Sequence, residues 1–328
     1  MSRIAYVCEG GGSLGWGHVG RGRALAERES SVSLLIGRGF GEIQDWIRSA
    51  GATFRAQQWD SADVPFSGRS ASWEYVVVDA YDVSNRWIAE TAFSSRVVVV
   101  DDWQRRSFES QVLVNPNIGA DAEDYSSASF ESGLFGPKYA FVRREIVELR
   151  NAVRSPSSDS PRVLLTLGGS DPFDATAAVV DAFVQSGIAE QCTLDVVIGS
   201  SYSGRLLSAD GTLLQKVRML RQPPDFSRRL ATADVVVCGG SVTSYEAACL
   251  GRPFVPVAIV GNQRRITAAW AERGVGFDVA FGESGWASTL VSAVERSLSD
   301  LGRASGRARE LMAMVDGLGA ERVLEVLK

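Results

Sequence analysis

The chain has 328 residues, 45% of them hydrophobic and 22% charged, with a net charge of -5 and one histidine. That length is enough for two ordinary domains with sizeable cores, and the mild acidity argues against a nucleic-acid surface, so no nucleic-acid partner is expected. The four cysteines, Cys8, Cys192, Cys238 and Cys249, show no metal-ligand spacing, and no apolar stretch approaches the roughly 18 residues of a membrane span, which predicts a reduced, cytoplasmic chain without an integral membrane segment.

Along the chain, short apolar runs alternate with segments of helical spacing. RIAYVC, VSLLIG, YVVVD, RVVVVDD and VLVN occupy the first half, and RVLLTLGG, CTLDVVIG, VVVCGG and FVPVAIV the second. Runs that are β-branched and apolar at successive positions predict parallel strands buried on both faces. Between them, GRALAERES, SNRWIAETAF, FDATAAVVDAFVQ, TSYEAACLG and NQRRITAAWAERG have the apolar periodicity of helices. Strand and helix alternating over this length define an α/β fold of Rossmann-like, doubly wound domains. The polar, Ser- and Pro-rich residues 151–162 lack periodicity and read as a linker, dividing the chain into domains 1–150 and 163–328. RASGRARELMAM and GAERVLEVL predict two final helices closing the second domain.

The first strand leads into a loop containing Gly10, Gly11, Gly12, Gly15 and Gly17, and a helix is predicted from about His18. Glycines let the backbone approach a ligand closely, and a helix N-terminus presents free N–H groups and a positive dipole end. His18 is the only side chain here whose ordinary pKa allows proton exchange near neutrality. The pattern is neither a Walker A nor a full dinucleotide fingerprint, and a helix-capping histidine is its bland alternative. Asp79 closes the third run, and Asp101 and Asp102 close the fourth. The carboxyl ends of parallel strands face the ligand crevice, so these groups are candidates to share a pocket with His18 and orient it, although Asp is also a common cap.

In the second half, VLLTLGGSDPFDAT and VVVCGGSVTSYEAACLGRP repeat strand, Gly-Gly-Ser, helix. Gly169, Ser170 and Asp171, with Gly240, Ser241, Val242 and Thr243, are the expected donors to a diphosphate. Glu246 lies about one and a half turns into its helix, placed to reach the paired hydroxyls of a ribose. Simple helix capping is again the competing explanation.

The motifs GWGHVGR, VVVDAYDVS, VVVVDDW, VLVNPN, GPKYAFVRREI, LTLGGSDP and GGSVTSYEAACLGRP…GNQ resemble, in order and over nearly the whole chain, the nucleotide-sugar hydrolases of pseudaminic acid biosynthesis. Those enzymes are related to the inverting GT-B glycosyltransferases. The resemblance implies a GT-B fold with a UDP-sugar bound in a cleft between two Rossmann-like domains, the nucleotide mainly on the second. It implies that His18 is catalytic, that Arg21 completes the Gly-x-Gly-His-x-x-Arg motif, and that Tyr81 belongs to the catalytic group. It also brings Asn262, Gln263 and Glu246 into substrate binding. The chain departs from the family where Arg-Ala-Asp often precedes the glycine loop, having Val7, Cys8 and Glu9 instead.

The reaction these readings predict is hydrolysis of a UDP-sugar, with His18 activating water, Asp101, Asp102 or Glu9 tuning it, and the helix N-termini stabilising the departing diphosphate. Neither a metal nor an organic cofactor is expected. Two rival readings remain open at this stage, an inverting glycosyltransferase of the same fold with a small-molecule or lipid acceptor, and a non-catalytic nucleotide-sugar binding protein.

Overall fold

The computed structural model describes residues 3–11, 15–37, 39–41, 43–44, 55–58, 73–102, 108–150, 161–205, 216–301 and 304–327. Gly12 and the predicted linker, apart from its last two residues, lie outside them. The chain divides into two compact units, Met1–Arg144 with Gly317–Lys328, and Glu145–Asp316.

The first unit carries a seven-stranded sheet in the order β3-β2-β1-β4-β5-β6-β7. Its strands are β1 (Ile4–Cys8), β2 (Val32–Ile36), β3 (Arg55–Gln58), β4 (Tyr75–Asp79), β5 (Arg96–Val100), β6 (Glu109–Asn115) and β7 (Ser129–Phe135), and every pairing is parallel. The second unit carries a six-stranded parallel sheet in the order β10-β9-β8-β11-β12-β13. These strands are β8 (Arg162–Thr166), β9 (Thr193–Ile198), β10 (Val217–Arg221), β11 (Val235–Gly239), β12 (Phe254–Ala258) and β13 (Val279–Ala280). Helices accompany both: α1 (Gly17–Ala26), α2 (Asn85–Ala92), α3 (Arg144–Leu149), α4 (Ala175–Gln185), α5 (Ile188–Gln191), α6 (Phe226–Thr232), α7 (Val242–Cys249), α8 (Arg264–Glu272), α9 (Trp286–Ser299), α10 (Ala304–Met314) and α11 (Gly319–Leu327).

The apolar runs account for the sheet centres. In β1 alternate residues serve two cores: Ile4, Tyr6 and Cys8 pack with Leu25 and Val98, while Ala5 and Val7 pack with Trp87 and Ile88. A strand with a core on each face favours an apolar residue at every position, which is why IAYVC is unbroken and VSLLI admits only the small Ser33. The strands absent from the sequence reading are chiefly edges, β3, β7, β10 and β13. Most of SFESGLF in β7 is solvent-accessible, so its composition follows no apolar pattern.

Both sheets reverse their strand order once, between β1 and β4 in the first and between β8 and β11 in the second. At such a point the connections leave to opposite faces, and a crevice opens beyond the strands' carboxyl ends.

The final two helices part company. The expectation that both close the second domain holds for α10, which packs on α7. It fails for α11, whose Ala320, Val323, Leu324 and Leu327 lie in the first unit's core. The contact is close, since a Cβ on Gly319 would sit 2.2 Å from the Ala140 carbonyl oxygen. The ion pair Arg28–Glu321, at 2.6 Å, adds a polar tie. The helical pattern of GAERVLEVL marks an apolar face without indicating which core receives it. Leu327→Ala should therefore cost about 2–5 kcal/mol. Hydrogen exchange would show it: protection should fall in β1 and β5 and stay unchanged in β8 and β11.

Candidate active site

At the first sheet's reversal, β1 and β4 run side by side with Cys8 opposite Asp79. Beyond Cys8 the loop folds back on itself, the Gly11 amide donating to the Gly15 carbonyl at 2.8 Å. Helix α1 then begins at Gly17, so His18 lies in its first turn. The helix presses hard on the sheet at Gly22, where a Cβ would lie 2.3 Å from Leu34 Cδ2 and 2.8 Å from Tyr6 Cδ1. A side chain at position 22 would have to displace Leu34 and Tyr6 or lift α1, the helix that carries His18 and Arg21.

Asp79, 1% exposed, is the hub of the site. His18 Nδ1 lies 2.7 Å from its Oδ1. Arg21 grips both oxygens, Nε to Oδ2 at 2.8 Å and Nη2 to Oδ1 at 2.7 Å. From within the core, Tyr6 donates its hydroxyl to Oδ2 at 2.5 Å. Burial alone would push the Asp79 pKa up, but the positive charge of Arg21 and the interaction with His18 outweigh it and hold the carboxyl well below the usual range. The Tyr6 phenol is raised by burial and by the adjacent Asp79 charge, and stays a donor.

This arrangement fixes the histidine tautomer. Arg21 Nη2 also lies 2.9 Å from Nδ1. A guanidinium only donates and an ionised carboxylate only accepts. With Nδ1 unprotonated, its lone pair would face an Asp79 oxygen at 2.7 Å. Both Nη2 hydrogens have carboxylate acceptors, Asp79 Oδ1 at 2.7 Å and Asp102 Oδ2 at 2.9 Å, so none is left for Nδ1. In the neutral ring the proton therefore lies on Nδ1 toward Asp79, with Nε2 as the acceptor. The ring also meets Tyr81 edge-on, with centroids 4.7 Å apart.

The strand-end carboxylates divide. Asp102 joins the cluster, accepting from Arg21 Nη2 at 2.9 Å and Nη1 at 3.3 Å, from Asn117 Nδ2 at 2.7 Å and from the Tyr81 hydroxyl at 3.4 Å. Asp101 is directed elsewhere, its Oδ2 accepting from the Tyr125 hydroxyl at 3.1 Å. Asp79 therefore orients the imidazole, and Asp101 does not meet the expectation that it would. Glu9 is buried and accepts from the Tyr81 amide at 2.9 Å, so it shapes the turn that carries Tyr81. Tyr6 and Asn117 were missed from the sequence. The signal for Tyr6 is a phenol inside an otherwise aliphatic buried strand, which needs a partner for its hydroxyl.

In the second unit the two Gly-Gly-Ser turns flank the second reversal, after β8 and after β11. They differ in what occupies the helix that follows. Asp171, buried and at φ 41°, accepts from the Ala175 amide at 3.0 Å and the Thr176 amide at 2.7 Å. Its carboxylate thus takes the anion's place at the start of α4, and the expectation that Asp171 binds substrate gives way to the capping alternative. Gly169 and Ser170 remain partly accessible in the same turn. At α7, by contrast, Ser241 occupies the N-cap position without a side-chain cap bond, and Ser241, Val242 and Thr243 are partly accessible. Gly240 is packed tightly, since a Cβ there would lie 2.9 Å from Thr267 Cγ2 and 3.1 Å from the Gln263 carbonyl oxygen. Gln263 Oε1 accepts from the Ile259 amide at 3.0 Å, Asn262 is exposed, and Glu246 is buried. Beside them a cavity of about 360 Å³ is lined by Phe173, Phe281 and the ends of β12 and β13, with Arg264 and Glu283 paired at 2.6 Å.

Among the described residues no group of three or more His, Cys, Asp and Glu side chains is placed to hold a metal ion. None of the described helices is long and apolar enough to cross a membrane.

Two Rossmann-like units of this topology give the chain the GT-B fold, shared with solved glycosyltransferases. The spinosyn rhamnosyltransferase SpnG, complexed with thymidine diphosphate, matches at a TM-score of 0.67 and 14% identity, over 99% of this chain and 100% of that one. MurG of Acinetobacter baumannii matches at 0.64 and 11% identity, over 100% and 99%. In sequence the chain is similar to the spore coat polysaccharide biosynthesis protein SpsG of Bacillus subtilis (strain 168), 21% identical over 337 residues, covering 99% of this chain and 97% of that protein. It is also 21% identical over 269 residues to the uncharacterized protein MJ1062 of Methanocaldococcus jannaschii, covering 77% of this chain and 55% of that protein. No protein-family model matches.

The depressed Asp79 pKa has a definite sign in stability. A carboxyl lowered in the folded state stabilises above its unfolded value, about 3.9, and that contribution is lost as pH falls below it toward the lower folded value. Melting temperature measured against pH should drop below about pH 4 in the wild type. Asp79→Asn should be less stable at neutral pH and lose less over the same acid range, and an equal acid loss in both proteins would contradict this role.

Proposed function

We propose that the chain is a nucleotide-sugar enzyme acting at the anomeric carbon, and that it is a hydrolase releasing UDP and a free, modified sugar. The observation that carries this reading is the state of His18: Nδ1 is committed to an ionised, buried Asp79, so Nε2 is a base of fixed orientation at the end of a parallel sheet. In the reaction the water oxygen bonds to the anomeric carbon as its proton passes to Nε2. The bond from that carbon to the diphosphate oxygen breaks, and UDP leaves with the electron pair. A single displacement of this kind inverts the centre. Asp79 stabilises the imidazolium that forms, as a buried acceptor does for a histidine base.

In this reading the second unit supplies the nucleotide ligands. The amides at Val242 and Thr243 and the hydroxyls of Ser241 and Thr243 take the diphosphate at the N-terminus of α7, where the helix dipole favours the growing negative charge. Gly240 lets the backbone come close, Gly169 and Ser170 contribute from the other turn, Glu246 takes the ribose hydroxyls, and Asn262 and Gln263 reach the sugar side.

A glycosyltransferase is the second reading, favoured by the names of the fold neighbours, SpnG and MurG. An acceptor hydroxyl then replaces water at the same base. Hydrolysis in isotopically heavy water separates the readings. Heavy oxygen should appear in the sugar, first as the inverted anomer, and none in UDP. Label in the nucleotide would exclude attack at carbon, and a many-fold acceleration by an added acceptor would favour transfer.

Two substitutions divide the roles. His18→Ala should lower turnover by about two to four orders of magnitude with UDP affinity little changed. Glu246→Ala should weaken UDP by about 1.5–3 kcal/mol, the value of a hydrogen bond to a charged group. Calorimetry with UDP and 2′,3′-dideoxy-UDP checks the ribose assignment, because the variant should no longer distinguish them.

A further inference from the structure

We infer that Arg21 balances the charge beside the base rather than binding substrate, offsetting one of the two carboxylates, Asp79 and Asp102, that it holds next to His18, so that the ring's protonation follows the charge of Arg21. Four of the five guanidinium N–H groups are spent inside the protein, Nε and one of Nη2 on Asp79, the other of Nη2 and one of Nη1 on Asp102. The side chain is only 9% exposed. A guanidinium so committed has little left for a ligand.

The reason for such a residue lies in the count of charges. His18 faces two carboxylates, Asp79 directly and Asp102 through Arg21. Two negative charges with no counter-ion would draw a proton onto the imidazole and destroy its basic form. One guanidinium cancels one carboxylate. Asp79 then faces the imidazolium that forms when His18 takes its proton. The other groups facing the cluster add no cation: Tyr6 and Cys8 come from β1, Tyr81 from the turn after β4, and Glu9 adds a further buried carboxylate, which accepts from the Tyr81 amide and makes the one guanidinium matter more. Arg21 is thus a positioning residue that acts through His18.

This inference rests on His18 serving as the base, but its test needs no substrate. The chain has one histidine, so ¹⁵N-histidine labelling gives the resonances of His18 alone. The two ring nitrogens report the tautomer and the imidazolium directly. In the wild type the neutral form of the ring should carry its proton on Nδ1. In Arg21→Met the titration midpoint should rise by about one pH unit or more, as when a neighbouring charge is removed. Arg21→Lys, which keeps the charge without the fork, should titrate near the wild type. Asp102→Asn removes a negative charge at a partly accessible position and should move the midpoint down. An unmoved midpoint in Arg21→Met, an equal rise in Arg21→Lys, or an upward shift in Asp102→Asn would each overturn the inference. If Arg21→Met does not fold, the direction in Asp102→Asn decides. In active protein the acid limb of kcat/KM should follow the same shifts. Shifts as expected without any turnover of nucleotide sugars would count against the proposed function and leave the charge balance standing.

Discussion

A carboxylate with almost no access to water remains ionised at the end of β4 because a guanidinium is held against it. The first unit is arranged around that pair. A buried ion pair adds little net stability, since desolvation offsets much of the attraction, yet removing one partner leaves an isolated buried charge. The two members must therefore be brought together by the fold itself. Asp79 is delivered by a strand buried on both faces and Arg21 by a helix whose second turn touches the sheet at a glycine. Tyr6 closes the contact from the core side. His18 is one turn away from Arg21 on the same helix, so the geometry that secures the pair also sets the imidazole.

The two units solve the same topological problem with different materials. Each has a crevice at a reversal of strand order. The first fills it with charged side chains, whose ionisation state depends on their neighbours. The second offers peptide groups, whose dipoles do not titrate and are fixed by the helix itself. Under the proposed function, that contrast suits one crevice to proton transfer and the other to holding a diphosphate. Asp171 marks the division within the second unit: the start of α4 already contains its own anion, and the start of α7 does not.

Much of this could be read from the residues. RIAYVC, YVVVD and VVVCGG announce buried parallel strands because both faces demand apolar side chains, and the glycine loop before a lone histidine points to the first crevice. Edge strands such as SFESGLF escape the same reasoning because solvent on one side relaxes the demand. The choice among Asp79, Asp101 and Asp102 was not legible. All three end strands, and only register decides that Asp79 faces α1 while Asp101 turns to Tyr125. Capping by Asp171 and ligation by it share one sequence pattern, and the difference is a matter of where two oxygens point.

Because α11 returns to the first unit, the second unit is in effect an insertion within the first, which begins and ends with segments far apart in the chain. One face of the core built by β1, β2, β4 and β5 is covered by α1, which precedes the second unit, and by Ala320, Val323, Leu324 and Leu327 of α11, which follows it. The second unit is built from one continuous stretch, whereas the first needs two. The crevice of His18 therefore rests on a core drawn from both sides of the second unit in the sequence, although the groups that hold the imidazole all come from the segment before it.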